Sequence, residues 1–162
     1  MKIISGGQTG VDRAALDAAI ELGFEYGGSL PKGRLAEDGT VDVRKYPHLI
    51  ELDTADYHAR TKQNVADADA TLAFTAGALT GGTRMTLDLA KEYGKPHLLI
   101  DLTTRSSEEG VKKIIEWLSE IRPRSLNVAG PRESGAPGVY AKAYAVLKRA
   151  LSQAAVRVGR RL

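Results

Sequence analysis

The chain contains no cysteine. Disulfides, thiolate metal sites and cysteine nucleophiles are therefore excluded from the start. Aromatic residues make up only 6% of the sequence, and no RNA- or DNA-binding motif occurs in it. Proteins that read single-stranded nucleic acid need aromatic platforms, so nucleic acid is not an expected partner. No apolar run approaches the roughly 20 residues of a membrane-spanning helix. Met1-Lys2 leads straight into Ile3-Ile4 without a signal-peptide hydrophobic region. The expectation is a cytoplasmic protein with no membrane partner. His48, His58 and His97 show no metal-ligand spacing, and neither a Ser-His-Asp nor a His-Glu-x-x-His arrangement is visible. No metal ligand and no catalytic residue is assigned.

What is present is a globular composition. At 162 residues, 43% hydrophobic and 27% charged, the chain is long enough for one domain with a full core. The net charge of +3 gathers towards the C-terminus, at Lys148, Arg149, Arg157, Arg160 and Arg161. We expect a single ligand-binding domain over residues 1–155 and a basic tail over 156–162.

The organising stretch is Ser5-Gly6-Gly7-Gln8-Thr9-Gly10, between the apolar Ile3-Ile4 and a helical stripe of Ala14, Ala15, Leu16, Ala19, Ile20 and Leu22. A strand, a glycine turn and a helix N-terminus make an anion site, because the first backbone N–H groups are free and the helix dipole points at the turn. The spacing matches neither the dinucleotide fingerprint nor the P-loop. The arrangement then repeats. Thr71–Thr75 is followed by Gly77-Ala78-Leu79-Thr80-Gly81-Gly82-Thr83 and a helix to Gly94. Ser125–Gly130 is followed by Pro131-Arg132-Glu133-Ser134-Gly135 and a helix with Tyr140, Ala143, Tyr144, Leu147 and Leu151. Between these, Pro96–Leu102 reads as a strand, and Ser106 with Glu109 reads as a capping box that opens a helix ended by Pro123. Strands and helices in alternation predict an α/β fold, a mainly parallel sheet covered on both faces. Right-handed crossovers put all three small-residue loops on the carboxyl edge of that sheet, where ligands bind. The joint reading is a phosphate-bearing small molecule.

Phe24-Glu25-Tyr26 is read as a brief strand, and residues 27–54 as a loop-rich insertion with one short strand at Leu49–Leu52. Asp53 or Thr54 is the expected cap of a helix over about 55–66. On that helix Tyr57, Arg60, Thr61 and Asn64 share one face, so Arg60 and Asn64 either line a polar site or meet solvent. The candidate ligand- and phosphate-binding residues are Gly6, Gly7, Gln8, Thr9, Gly10, Asp12 and Arg13 in the first loop and helix. Lys32 and Arg34 join them from the insertion, Arg60 and Asn64 from the polar helix face. The later turns contribute Thr80, Gly81, Gly82 and Thr83, then Gly130 and Arg132. Arg and Lys supply charged donors to phosphate. Asp12 is either part of the site or a first-turn acid stabilising the helix dipole.

Several of these motifs, in order, resemble the "putative molybdenum carrier" family. They are SGGQTGVDRAALD over Ser5–Asp17, Pro31-Lys32-Gly33-Arg34, Glu37-Asp38-Gly39, Tyr46-Pro47, Arg60-Thr61 with Asn64-Val65, and Leu79–Thr83. The resemblance is close over roughly residues 3–102 and looser beyond. It implies a Rossmann-like three-layer sandwich, and as ligand the molybdenum cofactor (molybdopterin) or a related phosphorylated pterin or nucleotide. It also implies a homo-oligomer, dimer or tetramer. More distantly the chain is similar to cytokinin-activating phosphoribohydrolases, whose Pro-Gly-Gly-x-Gly-Thr-x-x-Glu carries an acid/base glutamate. Here Gly82-Thr83 match, but Thr86 stands in place of the glutamate. That departure favours binding over N-glycosidic hydrolysis, for which Asp12 or Asp88 would have to substitute. A nucleotide-sensing module is the third reading.

Overall fold

The structure, a computed structural model, describes residues 1–79, 81–104 and 106–159, with the backbone alone over 157–159. The candidate residue Thr80 and the basic residues Arg160 and Arg161 lie outside the described residues, as does the side chain of Arg157.

The elements in chain order are β1 (Lys2–Ile4), α1 (Val11–Glu21), β2 (Tyr26–Leu30), β3 (Leu35–Ala36), β4 (Gly39–Thr40), β5 (Leu49–Glu51) and α2 (Tyr57–Asp67). There follow β6 (Ala70–Thr75), α3 (Gly81–Glu92), β7 (His97–Asp101), α4 (Ser107–Ile121), β8 (Ser125–Ala129) and α5 (Val139–Gly159). Six strands form one parallel sheet in the order β5-β2-β1-β8-β6-β7, and β3 and β4 make a separate antiparallel ribbon. The expected α/β three-layer architecture is present. β1, β8 and β6 are neighbours, so the loops that follow them lie side by side on one edge.

β6 is buried at every residue, as its unbroken apolar run requires in a sheet covered on both faces. The larger core joins Ile3, Leu72, Phe74, Leu126 and Val128 of the sheet to the apolar stripes of α1, α4 and α5. Ser106 and Glu109 form the predicted reciprocal capping box on α4. A smaller core, Leu16, Leu30, Val41, Tyr46 and Leu49, lies under the insertion. Asp17 fastens it by accepting hydrogen bonds from Tyr46 Oη (2.7 Å) and Tyr140 Oη (2.6 Å). Burial, and then the bond to Asp17, push the Tyr140 hydroxyl up to about 12.

Two boundaries differ from expectation. β2 does not stop at Tyr26 but runs through Gly27-Gly28 to Leu30. Gly28, at φ 137°, lets this strand pass close to the first loop; a Cβ there would stand 2.0 Å from Ser5 O. The cap of α2 is Asp56, which accepts from His58 N at 2.9 Å, and not Asp53 or Thr54. Thr54 Oγ1 accepts from Asp56 N, one step earlier, and Thr54 O takes the N–H of Lys32. The insertion is thus tied down by β2, the β3–β4 ribbon and β5.

Candidate functional site

The loops after β1, β6 and β8 enclose a cavity of about 310 Å³, with Arg60 and Thr61 of α2 on its remaining side. That volume is at the lower end of small-molecule sites. Of the sequence-predicted residues, Gln8, Asp12, Arg60, Gly81, Gly82, Thr83, Gly130 and Arg132 line it.

The chemistry of the wall starts at Gln8, which is 6% exposed. Its Oε1 accepts two backbone N–H groups, from Thr9 at 3.0 Å and Glu37 at 2.9 Å. Two donors on one oxygen fix the amide orientation, so Nε2 is the remaining end, and it has no protein partner among the described residues. Arg60 carries the second orphan. Its Nη1 donates to Asp12 Oδ2 at 3.0 Å, while its buried Nε is unpartnered. Gly6 makes room for that guanidinium, since a Cβ there would fall 1.6 Å from Arg60 Nη1. Asp12 also accepts the N–H of Gln8 at 3.2 Å. Burial holds its carboxyl above the ordinary 3.8, although the Arg60 charge pulls the other way.

α3 points its N-terminus at the same space. Among the described residues no side chain accepts the N–H groups of its first turn, the part of a helix that binds anions. Gly82 has no left-handed φ, and a Cβ there would meet nothing within 4 Å. Packing among the described residues therefore gives no reason for glycine at that position. Thr86, on the turn behind, donates its hydroxyl to Gly82 O at 2.8 Å. It lines the cavity as an uncharged group where a hydrolytic motif would place a carboxyl.

The other candidates lie around the cavity rather than in its wall. Gly7 and Gly10, at φ 70° and 76°, shape the first loop; a Cβ on Gly10 would stand 2.3 Å from Pro131 O. Thr9 binds Glu37 through its hydroxyl and accepts the N–H of Glu133. Arg13 pairs with Asp38 and reaches Gly7 O. Arg34, at φ 54°, donates to the carbonyls of Val41, Tyr46 and Leu49, and so braces the insertion. Asn64 is buried with both amide ends on the backbone of Ser29. Lys32 is exposed at the loop surface. Sequence reasoning did not single out Thr61, Thr75, Ala76, Ala78, Pro131, Gly135 or Ala136 as lining residues. Thr61 was visible on the polar face of α2; for the others no sequence signal separates a wall from a turn.

Glu37 and its ribbon bind this edge together. Its carboxylate accepts from Thr9 Oγ1 and from both N and Oγ of Ser134, and lies 3.9 Å from Arg132 Nε. The hydrogen bonds from Ser134 and Thr9 hold its carboxyl below the usual value.

A family profile described as "Circularly permutated YpsA SLOG family" matches residues 3–151. The chain belongs to that family. The SLOG domain is also similar to a crystal structure at 1.45 Å resolution from Syntrophus aciditrophicus SB, named "Putative molybdenum carrier protein". The two share 46% identity and a TM-score of 0.88, over 93% of this chain and 94% of the other. No curated protein matches. The neighbour agrees with the family resemblance carried by the first-loop and Leu79–Thr83 motifs, and with the Rossmann-like fold. Among the described residues no helix is long and apolar enough to cross a membrane, and no cluster of three or more metal-ligating side chains occurs.

Proposed function

We propose that this protein binds the molybdenum cofactor or a related phosphorylated pterin or nucleotide, with the phosphate at the N-terminus of α3. One observation carries the reading. Two buried donors, Gln8 Nε2 and Arg60 Nε, have no protein partner among the described residues and belong to the wall of the cavity that α3 faces. A buried donor left unsatisfied costs about 1–3 kcal/mol, so a ligand that draws these side chains toward it recovers part of that cost on binding. The first-turn N–H groups of α3, which no described side chain accepts, and the open space over Gly82 supply the rest of an anion cradle. The residues present fit a phosphate ester. Without cysteine, they offer a molybdenum atom no thiolate, so the protein would hold such a cofactor by its organic and phosphate parts. The name of the 46% identical neighbour supports a molybdenum-related cargo.

Hydrolysis of a nucleoside monophosphate is the second reading. Asp12, the one carboxylate among the described wall residues, favours it, and the uncharged Thr86 weighs against it. Calorimetry and native mass spectrometry with molybdopterin and nucleoside monophosphates test the first reading. Micromolar binding that disappears in Arg60→Met is the expected result, and no uptake of any of these ligands would refute it. Release of free base by the same samples, abolished in Asp12→Asn, would establish the second reading.

A further inference from the structure

The cavity that α3 faces has one feature that a plain anion site does not need. The other polar side chains of its wall are amide, guanidinium and hydroxyl groups, yet it includes the carboxylate of Asp12, whose side chain is 5% exposed. Both hydrogen bonds to that carboxylate fall on Oδ2, from Arg60 Nη1 at 3.0 Å and Gln8 N at 3.2 Å. The nearby hydroxyl of Ser5 donates elsewhere, to Val128 O at 2.7 Å. Oδ1 therefore accepts nothing among the described residues. It is also not among the polar atoms sealed from solvent without a partner, whereas Gln8 Nε2 and Arg60 Nε are. An unsatisfied oxygen that is not sealed, on a residue lining a cavity, is an acceptor offered to whatever enters. A bare oxyanion without a proton, such as sulfate or molybdate at neutral pH, would suit the donors and be repelled by this oxygen. A ligand with a hydroxyl or N–H beside its phosphate would satisfy both.

Resting on the binding reading above, we infer that Asp12 selects a phosphate ester that carries a hydroxyl or N–H donor, and discriminates against proton-free oxyanions such as sulfate and molybdate. Arg60 neutralises part of the carboxylate charge and leaves Oδ1 free to accept. Gln8 N and Arg60 Nη1 hold the carboxylate in one orientation, so the acceptor is in place before the ligand arrives.

Calorimetry on the full chain with four probes tests this: guanosine 5′-monophosphate, ribose 5-phosphate, sulfate and molybdate. Wild type is expected to bind one of the organic phosphates at least tenfold more tightly than either bare oxyanion. In Asp12→Asn the amide oxygen can keep both bonds of Oδ2 and its NH₂ then faces the cavity. Affinity for sulfate and molybdate is expected to rise severalfold while the organic preference shrinks to within about threefold. An unchanged preference in this variant overturns the inference and leaves the binding reading intact. So does wild type that binds molybdate or sulfate as tightly as the esters. Wild type that takes none of the four overturns this inference, while the binding reading stands or falls separately on the molybdopterin titration. Should Asp12→Asn fail to fold by circular dichroism, methyl phosphate against ribose 5-phosphate on wild type decides. The two esters share the phosphate and differ in donors, and equal affinity overturns the inference.

Discussion

Two helix N-termini open on the same edge of the sheet, and the protein treats them differently. At the start of α5, Glu133 turns back on the backbone and accepts the N–H of Gly138 at 2.5 Å and of Tyr140 at 2.9 Å. Beside it Glu37 occupies a cradle formed by Thr9, Ser134 and Arg132. On this side the chain supplies its own anions. At the start of α3 no carboxylate does so among the described residues, and two buried donors nearby are left without partners. An N-terminus satisfied by its own carboxylate contributes to stability; one left open in a polar cavity contributes to binding. The repeated strand, small-residue turn and helix thus takes two forms among the described residues, and the difference lies in which turns have acids within reach.

Substitutions on the two sides should separate these roles. The largest effect is expected at Gly10, on the closed side. Its φ is 76°, and a Cβ there would come within 2.3 Å of Pro131 O. Gly10→Ala should therefore cost about 3 kcal/mol or more, read by urea unfolding. A loss under about 1 kcal/mol would show that the first loop can be rearranged freely. Next is Arg60→Met, which leaves Asp12 buried without its partner. A cost on the order of 3 kcal/mol is expected at neutral pH. It should shrink as the pH falls and the unpaired carboxyl takes up a proton, so unfolding curves at pH 7 and pH 5 are the check.

Gly82→Ala sharpens the contrast. With no left-handed φ and open space around the new methyl group, its stability should stay within about 1 kcal/mol of wild type. Affinity for a phosphorylated ligand should nevertheless fall at least tenfold, and unchanged affinity would place the phosphate elsewhere. Glu37 gives a pH signature for the closed side. Its carboxyl is lowered from 4.5 in the folded chain, so its stabilisation is complete above that value and is lost as the pH falls through the folded one. Thermal melts from pH 6 to pH 3 should lose stability less steeply in Glu37→Gln than in wild type; parallel curves would remove Glu37 as a pH-dependent tie. The smallest effect is expected for Lys32→Ala, exposed on the insertion. Stability should change by under about 0.5 kcal/mol, and a tenfold loss of ligand affinity in a titration would bring this loop into the site.

How much could be read beforehand followed from how local each signal is. The alternation of apolar runs with helical stripes gave the six parallel strands, apart from the extent of β2 through Gly27-Gly28. A glycine pair reads as a turn in sequence, but close passage of Ser5 O explains it in space. Arg13, Arg34 and Arg60 are chemically alike, and nothing in their spacing tells a brace from a cavity wall. Their partners do: Asp38, three carbonyls of the insertion, and Asp12 in the cavity. The polar face of α2 likewise held one residue for the backbone of Ser29, Asn64, and one for the cavity, Arg60.

By itself the sequence determined the layered parallel architecture and the edge where the small-residue loops gather, because periodicity and turn chemistry act over a few neighbouring residues. Only the tertiary structure decided which of those loops are closed by the chain's own carboxylates and which are left open. That choice depends on contacts between residues far apart in the chain, such as Glu37 with Ser134 and Arg60 with Asp12, and those distances are set by packing.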